Sequence, residues 1–355
     1  RHLPDAERER RPLLHRHPGL LARPSRSAED DQLIRRAGGA AISPRPTVTD
    51  RQAALARFGL GAEDLLGTGS ESWVYALDDQ RILRIRRHPT DLARLTALKR
   101  FLEGIAGRLP FDTPEIEAIE PDGATVERRL PGRPMTEVLA EREGDSRRLA
   151  LRNYFEAAAA IRSIGMDGEA FGALLNPDQV TAPAWRSFLL ESIERSAARY
   201  RVQLTAALGE ADALVARARD LFVAVPERPE KVLAHGDFLP GNVMIGDDLS
   251  VSAVMDFGAW TLVAEPSYDT TGAAMFAEIT NECTPADQMF LRSLLLAGSD
   301  QAAIDRMTCY RVYFAFTLFD PEDAGDLYPR LFPWNVRTLG QLADGTVGDW
   351  VRNPT

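Results

Sequence analysis

Asp237, Asn242 and Asp256, three oxygen-bearing side chains in one short stretch, have the types and spacing suited to moving a phosphoryl group. Such a transfer needs a carboxylate that orients and deprotonates an attacking hydroxyl. It also needs oxygen ligands for a hard cation such as Mg²⁺, which keeps several waters, takes few protein ligands and spreads the charge of a triphosphate. Asp237 suits the first task, and Asn242 and Asp256 the second. In sequence the set reads His235-Gly236-Asp237, then Asn242 five residues on, then Asp256-Phe257-Gly258.

Two apolar runs, 243–245 and 251–255, frame these residues as short strands, and Gly246, Asp247 and Asp248 form the turn between them. A hairpin there holds Asn242 and Asp256 on one side of a common metal. H-x-D-x-x-x-x-N followed by Asp-Phe-Gly is the kinase catalytic-loop spacing, with Gly236 where protein kinases carry Arg. A lone His-Gly-Asp arises often by chance; the full spacing between apolar strands rarely does. The combined pattern resembles the aminoglycoside phosphotransferase family, which includes antibiotic kinases and the choline, homoserine and fructosamine kinases.

The resemblance implies an α+β, bilobal protein-kinase-like fold, with a small antiparallel β N-lobe and a larger, mainly helical C-lobe. It implies transfer of the γ-phosphoryl group of ATP or GTP, with Mg²⁺, to a hydroxyl of a small molecule. Asp237 is then the base, His235 steadies the loop by hydrogen bonding, and Asn242 and Asp256 hold metal. Glu265-Pro266-Ser267-Tyr268-Asp269 stands where the family often has Asp-Pro-x-x-Asp, so Asp269 braces the catalytic loop.

The elements that must position this set lie upstream. A helix is expected over 50–58 with Asp50 as its cap. Apolar residues on either side of Thr68-Gly69-Ser70-Glu71-Ser72 read as strand, loop, strand, and 81–86 as a third strand. By resemblance, Thr68, Gly69, Ser70 and Ser72 cover the nucleotide phosphates, and Arg84 takes the place of the usual lysine, with Arg86 as the alternative. A guanidinium keeps its charge and can grip two phosphate oxygens. The helix expected over 90–106 should supply a glutamate to that cation, yet near Leu98 there is no acid, and Glu103 comes late. Strands over 115–119 and 124–130 follow. By resemblance, the backbone near Glu127 to Leu130 meets the nucleotide base.

Three segments are expected: a disordered or loosely attached extension over 1–50, rich in Arg and Pro; the nucleotide-binding N-lobe over 51–130; and the catalytic, acceptor-binding C-lobe over 131–355. Amphipathic helices are expected over 147–164, 182–208, 211–222, 269–281, 285–297 and 300–319. The last carries Tyr310, Tyr313, Phe314, Phe316 and Phe319, read as core with a few members facing the acceptor. The tail from 321, with Trp334 and Trp350, receives no role.

Composition bounds the partners. The chain has 355 residues, 45% hydrophobic and 26% charged, as in ordinary soluble globular proteins. No apolar run is long enough to cross a bilayer, and residues 1–30 lack a signal-type apolar stretch. The two cysteines, Cys283 and Cys309, form no C-x-x-C, which fits a reducing cytoplasm. A net charge of −10 argues against nucleic acid. Residues 231–330 hold 15 acids and 5 bases, so a cationic acceptor drawn to an acidic cleft and a surface kept negative for solubility are both open.

The leading expectation is an antibiotic kinase that confers resistance by O-phosphorylation of an aminoglycoside or similar hydroxylated compound. The alternatives are a metabolic small-molecule kinase of the choline, homoserine, fructosamine or sugar type, and a nucleotide-binding protein without catalysis. The joint presence of Asp237, Asn242 and Asp256 speaks against the last. The sequence leaves the acceptor, the donor base and the oligomeric state open.

Overall fold

A computed structural model describes residues 49–69, 71–321 and 329–351. The extension expected over 1–50 falls outside these residues except for Thr49 and Asp50, and Ser70 also lies outside them. The first helix, α1 (Arg51–Phe58), is capped by Asp50, whose carboxylate accepts from the N–H groups of Gln52 and Ala53 at 2.9 and 3.1 Å. Gly59, at φ 68°, ends it in the left-handed conformation.

Strands β1 (Leu65–Thr68), β2 (Ser72–Ala76), β3 (Arg81–Arg86), β4 (Ile116–Ile119) and β5 (Thr125–Arg128) form an antiparallel sheet in the order β1-β2-β3-β5-β4. Strand alternation gives the sheet two faces. Tyr75, Leu83, Ile85 and Val126 share one and bury against Ala54 of α1, which makes a small N-lobe core. Ser72, Arg84, Arg86, Thr125 and Glu127 share the other.

Helix α2 (Leu92–Ile105) starts at Asp91, which caps the N–H of Ala93 at 2.8 Å. Its Leu102 and Ile105 join the large C-lobe core rather than the N-lobe core. The chain then runs beside the hairpin over 243–254: Asp112 N–H donates to Ser252 O at 2.9 Å, and Val254 N–H to Asp112 O at 3.0 Å.

Beyond β5 come β6 (Arg133–Pro134), α3 (Met135–Glu141) and α4 (Gly144–Ile161). The single helix expected over 182–208 is two, α5 (Trp185–Arg199) and α6 (Arg201–Leu208), because Tyr200 departs to φ −106°, ψ 25°. Helix α7 (Ala211–Leu221) follows. Two small sheets then carry the site. One is β11-β10-β6, with β10 (Val243–Ile245) and β11 (Val251–Val254) as the expected hairpin. The other is β8-β7-β12-β9, from β7 (Phe171–Ala173), β8 (Thr181–Ala182), β9 (Val232–Ala234) and β12 (Leu262–Ala264).

Helices α8 (Tyr268–Phe276), α9 (Pro285–Leu296), α10 (Gln301–Thr317) and α11 (Leu331–Asp344) complete the C-lobe. The aromatics of α10, Phe314 included, are buried and build core. The tail is part of that core through a buried ion cluster. Glu278 accepts from Arg311 at 2.8 and 3.0 Å, from Arg292 at 3.1 Å and from Trp334 Nε1–H at 2.8 Å. Burial is the strongest single influence and opposes ionisation of this carboxyl, but the charges of Arg311 and Arg292 and the hydrogen bonds from Arg311 and Trp334 together outweigh it and hold the group below its ordinary range. Among the described residues, no helix is long and apolar enough to cross a membrane.

Candidate active site

The loop that carries Asp237 leaves β9 and the Asp-Phe-Gly segment enters β12. These strands pair antiparallel, with Leu262 opposite Ala234, so both ends of the loop are clamped together. Asp269, at the start of α8, fixes the turn between them. Its two carboxylate oxygens accept from His235 N–H at 2.7 Å and Gly236 N–H at 3.0 Å. Burial raises this carboxyl to about 7, against the pull of its two N–H donors. Gly236 sits at φ 82°, and a Cβ there would lie 2.0 Å from the Trp260 carbonyl oxygen. The arginine that protein kinases place at this position therefore has no room.

His235 is buried and neutral. Its Nδ1 accepts from Asp237 N–H at 3.2 Å, which leaves the proton on Nε2 to donate to Met255 O at 2.7 Å. Burial depresses its pKa further. Met255 is also held from the other side, its N–H donating to Asn242 O at 2.8 Å. Asp256 follows at once, exposed and at φ 62°, a conformation that strains any non-glycine residue. Phe257 is buried and packs edge-on to His235, with centroids 4.6 Å apart, and against Phe101 of α2 at 6.3 Å. Thus His235, Asn242 and α2 together set where the Asp256 carboxylate stands.

Asn242 closes a short 3₁₀ turn, Pro240–Asn242. Its Nδ2–H donates to the Asp237 carbonyl at 2.9 Å, which leaves the amide oxygen as the group able to meet a cation. The residues fit a hard divalent metal: one amide oxygen and one exposed carboxylate. Among the described residues, no group of three or more His, Cys, Asp or Glu could hold a metal alone. Such a sparse set matches a cation that takes its other ligands from water and phosphate.

On the N-lobe sheet, Arg84 of β3 meets Glu127 of the adjacent β5. Its Nε donates to both carboxylate oxygens, at 2.9 and 3.1 Å, and Nη1 to Ser72 Oγ at 3.3 Å. Thr125 Oγ1–H donates to Glu127 at 2.6 Å, and Arg86 Nη1 to Thr125 Oγ1 and Gly123 O at 3.3 and 3.2 Å. The helix glutamate looked for in sequence is absent: Glu103 is exposed and pairs with Lys99 of its own helix at 3.2 Å, while Leu98 packs on the C-lobe core. Glu127 lies inside the sheet, flanked by β3 and β4, and Leu130 is half-buried beyond the end of β5.

The loop between β1 and β2 is closed by Gly69 N–H donating to Ser72 O at 2.9 Å. Thr68 Oγ1 accepts from Arg87, whose guanidinium stacks 4.2 Å from the Trp73 ring. Ser72 therefore serves Arg84, and Thr68 is tied to Arg87. Three supports had no motif to announce them. Tyr154 Oη–H donates to Phe238 O at 2.7 Å, Thr261 Oγ1 accepts from Gly258 N–H at 2.9 Å, and Glu127 turns its side chain onto Arg84.

The sequence model of the phosphotransferase enzyme family matches residues 65–307, well over half of the chain. Comparison with curated proteins finds no match. Among solved structures, a streptomycin–ATP ternary complex of APH(2")-IIa superposes with a TM-score of 0.55 at 14% identity, over 83% of this chain and 99% of that one. ADP-bound aminoglycoside phosphotransferase APH(2'')-Ib gives 0.51 at 16% identity, over 78% and 91%. A GDP and kanamycin complex of APH(2")-IIIa gives 0.51 at 15%, over 79% and 92%. At these identities the likeness is one of fold.

Proposed function

The chain belongs to the phosphotransferase enzyme family, and we propose that it moves the γ-phosphoryl group of ATP or GTP onto a hydroxyl of a small molecule. The observation that carries this reading is the convergence of His235, Asn242 and Asp269 on the segment that holds Asp237 and Asp256. Asp237 orients the acceptor hydroxyl and takes its proton as the oxygen attacks phosphorus. Arg84 meets the phosphates from the N-lobe sheet, with Arg86 behind it, and the turn at Thr68 and Gly69 covers them. Asn242 and Asp256 would hold Mg²⁺, which when bound neutralises charge on the phosphates. The base would rest near the backbone beyond Arg128, at Leu130.

For the acceptor, we propose a hydroxylated antibiotic of the aminoglycoside type or similar, which would make the chain a cytoplasmic resistance enzyme. The support is the fold shared with aminoglycoside phosphotransferases. One observation favours a second reading, a sugar-type metabolite of low charge. Three of the 15 acids of 231–330 are used internally: Glu278 by two arginines, Asp287 by Arg147 at 2.6 Å, and Asp269 by backbone N–H groups. Coupled nucleotide-consumption assays over antibiotics, amino alcohols, sugars and amino acids test the proposal, with Asp237→Ala as control. The expected result is turnover with one acceptor class and a loss on the order of 10² to 10⁴ in the control. Equal turnover by Asp237→Ala would overturn the assignment.

A further inference from the structure

We propose that Glu127 is the positioning residue for the phosphate-gripping cation Arg84, so that this grip is preset within the N-lobe sheet and does not depend on where helix α2 stands. The inference rests on the phosphotransferase reading and deepens it. Kinase-like sites commonly draw the cation's partner from the helix, which lets helix position switch the site on and off. Here the helix has been recruited to other work. Its Leu102 and Ile105 lie in the C-lobe core, Leu98 packs on that core, and Phe101 meets Phe257. None of these positions can carry a carboxylate to Arg84 without burying charge in an apolar contact.

The sheet supplies the carboxylate instead. Arg84 and Glu127 lie on adjacent strands and the same face, since Arg84 pairs with Thr125, two residues before Glu127. Glu127 is 4% exposed, and its Oε1 takes both Arg84 Nε–H and the Thr125 hydroxyl. Ser72, on the strand at the other side of β3, receives Nη1. The guanidinium is thus held through Nε and one Nη by groups on the two strands that flank its own. Among the described residues, no acceptor meets its second terminal nitrogen, Nη2. The face carries two arginines, Arg84 and Arg86, against the one carboxylate of Glu127, with Glu71 and Asp256 also near enough to act on both guanidinium groups, so Glu127 orients Arg84 while Arg86 adds a second positive charge for a triphosphate.

Two rival roles make different forecasts. A carboxylate that merely stabilises the sheet would weaken every ligand when altered. One that competes with phosphate for Arg84 would, when neutralised, strengthen nucleotide binding. A positioning carboxylate should affect the phosphates alone and act only through Arg84.

The experiment is calorimetric titration of the full chain with Mg·ATP, Mg·GTP, adenosine and guanosine. It uses wild type, Glu127→Gln, Arg84→Met and the double variant, with thermal unfolding as a check on folding. The expected result is a loss on the order of tenfold in triphosphate affinity for Glu127→Gln, with nucleoside affinity unchanged and no further loss in the Arg84→Met background. Equal weakening of nucleoside and triphosphate, an added loss in the double variant, or tighter triphosphate binding would each overturn the proposal. Should Glu127→Gln fail to fold, Glu127→Asp provides the same contrast, because its shorter carboxylate must loosen Arg84 while keeping the charge. Wild-type protein that binds neither triphosphate would sink the donor reading itself, and this inference with it.

Discussion

The His235 imidazole donates through Nε2–H to the carbonyl of Met255 at 2.7 Å, and Met255 donates its own N–H to Asn242 O at 2.8 Å. One peptide segment is therefore held by two motif residues, and Asp256 is the next residue in the chain. The strained φ of 62° at Asp256 persists because these bonds and the buried Phe257 ring over-determine it. His235 thus acts on the site by placing the Asp256 carboxylate. His235→Ala is expected to lower both kcat and affinity for Mg·nucleotide, on the order of 10- to 100-fold, as loss of an outer support does at metal sites. Steady-state kinetics with calorimetry provide the check, and unchanged nucleotide affinity would detach His235 from Asp256.

Gly236 offers a sharper test of backbone geometry. A methyl group at this position meets the Trp260 carbonyl at 2.0 Å and Leu262 at 2.8 Å, at a φ of 82°. Gly59 has a similar φ of 68°, but a Cβ there meets nothing within 4 Å. Gly59→Ala should lose on the order of 1 kcal/mol from conformation alone. Gly236→Ala should lose clearly more, because the collision is with backbone, and should also lose transfer activity. Urea unfolding of the two variants separates strain from collision. Equal losses would mean that the loop at Trp260 yields easily.

What could be read in sequence was what period and spacing encode. The alternation in 72–76 and 81–86 put Arg84 and Arg86 on one face, and turn residues 246–248 fixed the hairpin. The partner of Arg84 could not be read, since Glu127 is 43 residues away and only the β3–β5 register joins them. Strands β7, β9 and β12 are three residues each, and β9 and β12 are uniformly buried, so they show no period to detect. The tail helix did leave a signal: Leu331, Trp334, Thr338 and Leu342 recur at helical spacing and are all buried, with Pro333 in the first turn where it is tolerated.

Asp269 gives the loop a pH signature. Its folded value of about 7 lies above the ordinary 3.8, so the native state binds more protons than the unfolded state between those limits. Stability then falls as pH rises: the contribution is complete below about pH 4 and gone once pH passes 7. His235, buried and neutral with a lowered pKa, works in the opposite sense below its ordinary range, in wild type and variant alike. Asp269→Asn removes the first slope. It also leaves one of the two N–H donors facing an amide NH₂, which should reduce stability on the order of 1–3 kcal/mol at pH 5. Between pH 5 and 7 the gap to wild type should narrow at up to about 1.4 kcal/mol per pH unit. A gap that stays constant across urea titrations at those pH values would refute a raised Asp269.

Salt dependence decides what the acidic C-lobe is for. Region 231–330 carries 15 acids against 5 bases, yet Glu265, Asp269, Glu278 and Asp287 are buried. Glu278 and Asp287 are matched by arginines, and Asp300 caps α10. These buried or paired acids add little field at the site, and the exposed Asp256 is proposed for metal rather than for acceptor. If the acceptor is the low-charge sugar type, its KM should change less than about threefold between low salt and about 0.5 M, where the screening length falls to about 4 Å. A polycation guided by an acidic cleft would instead lose about tenfold or more over the same range, while KM for the anionic nucleotide responded differently. Initial rates over a salt series, with acceptor and nucleotide varied in turn, distinguish the two. A steep acceptor response would show that the remaining surface acids line the acceptor's path, and would favour the aminoglycoside-type acceptor over the sugar-type one.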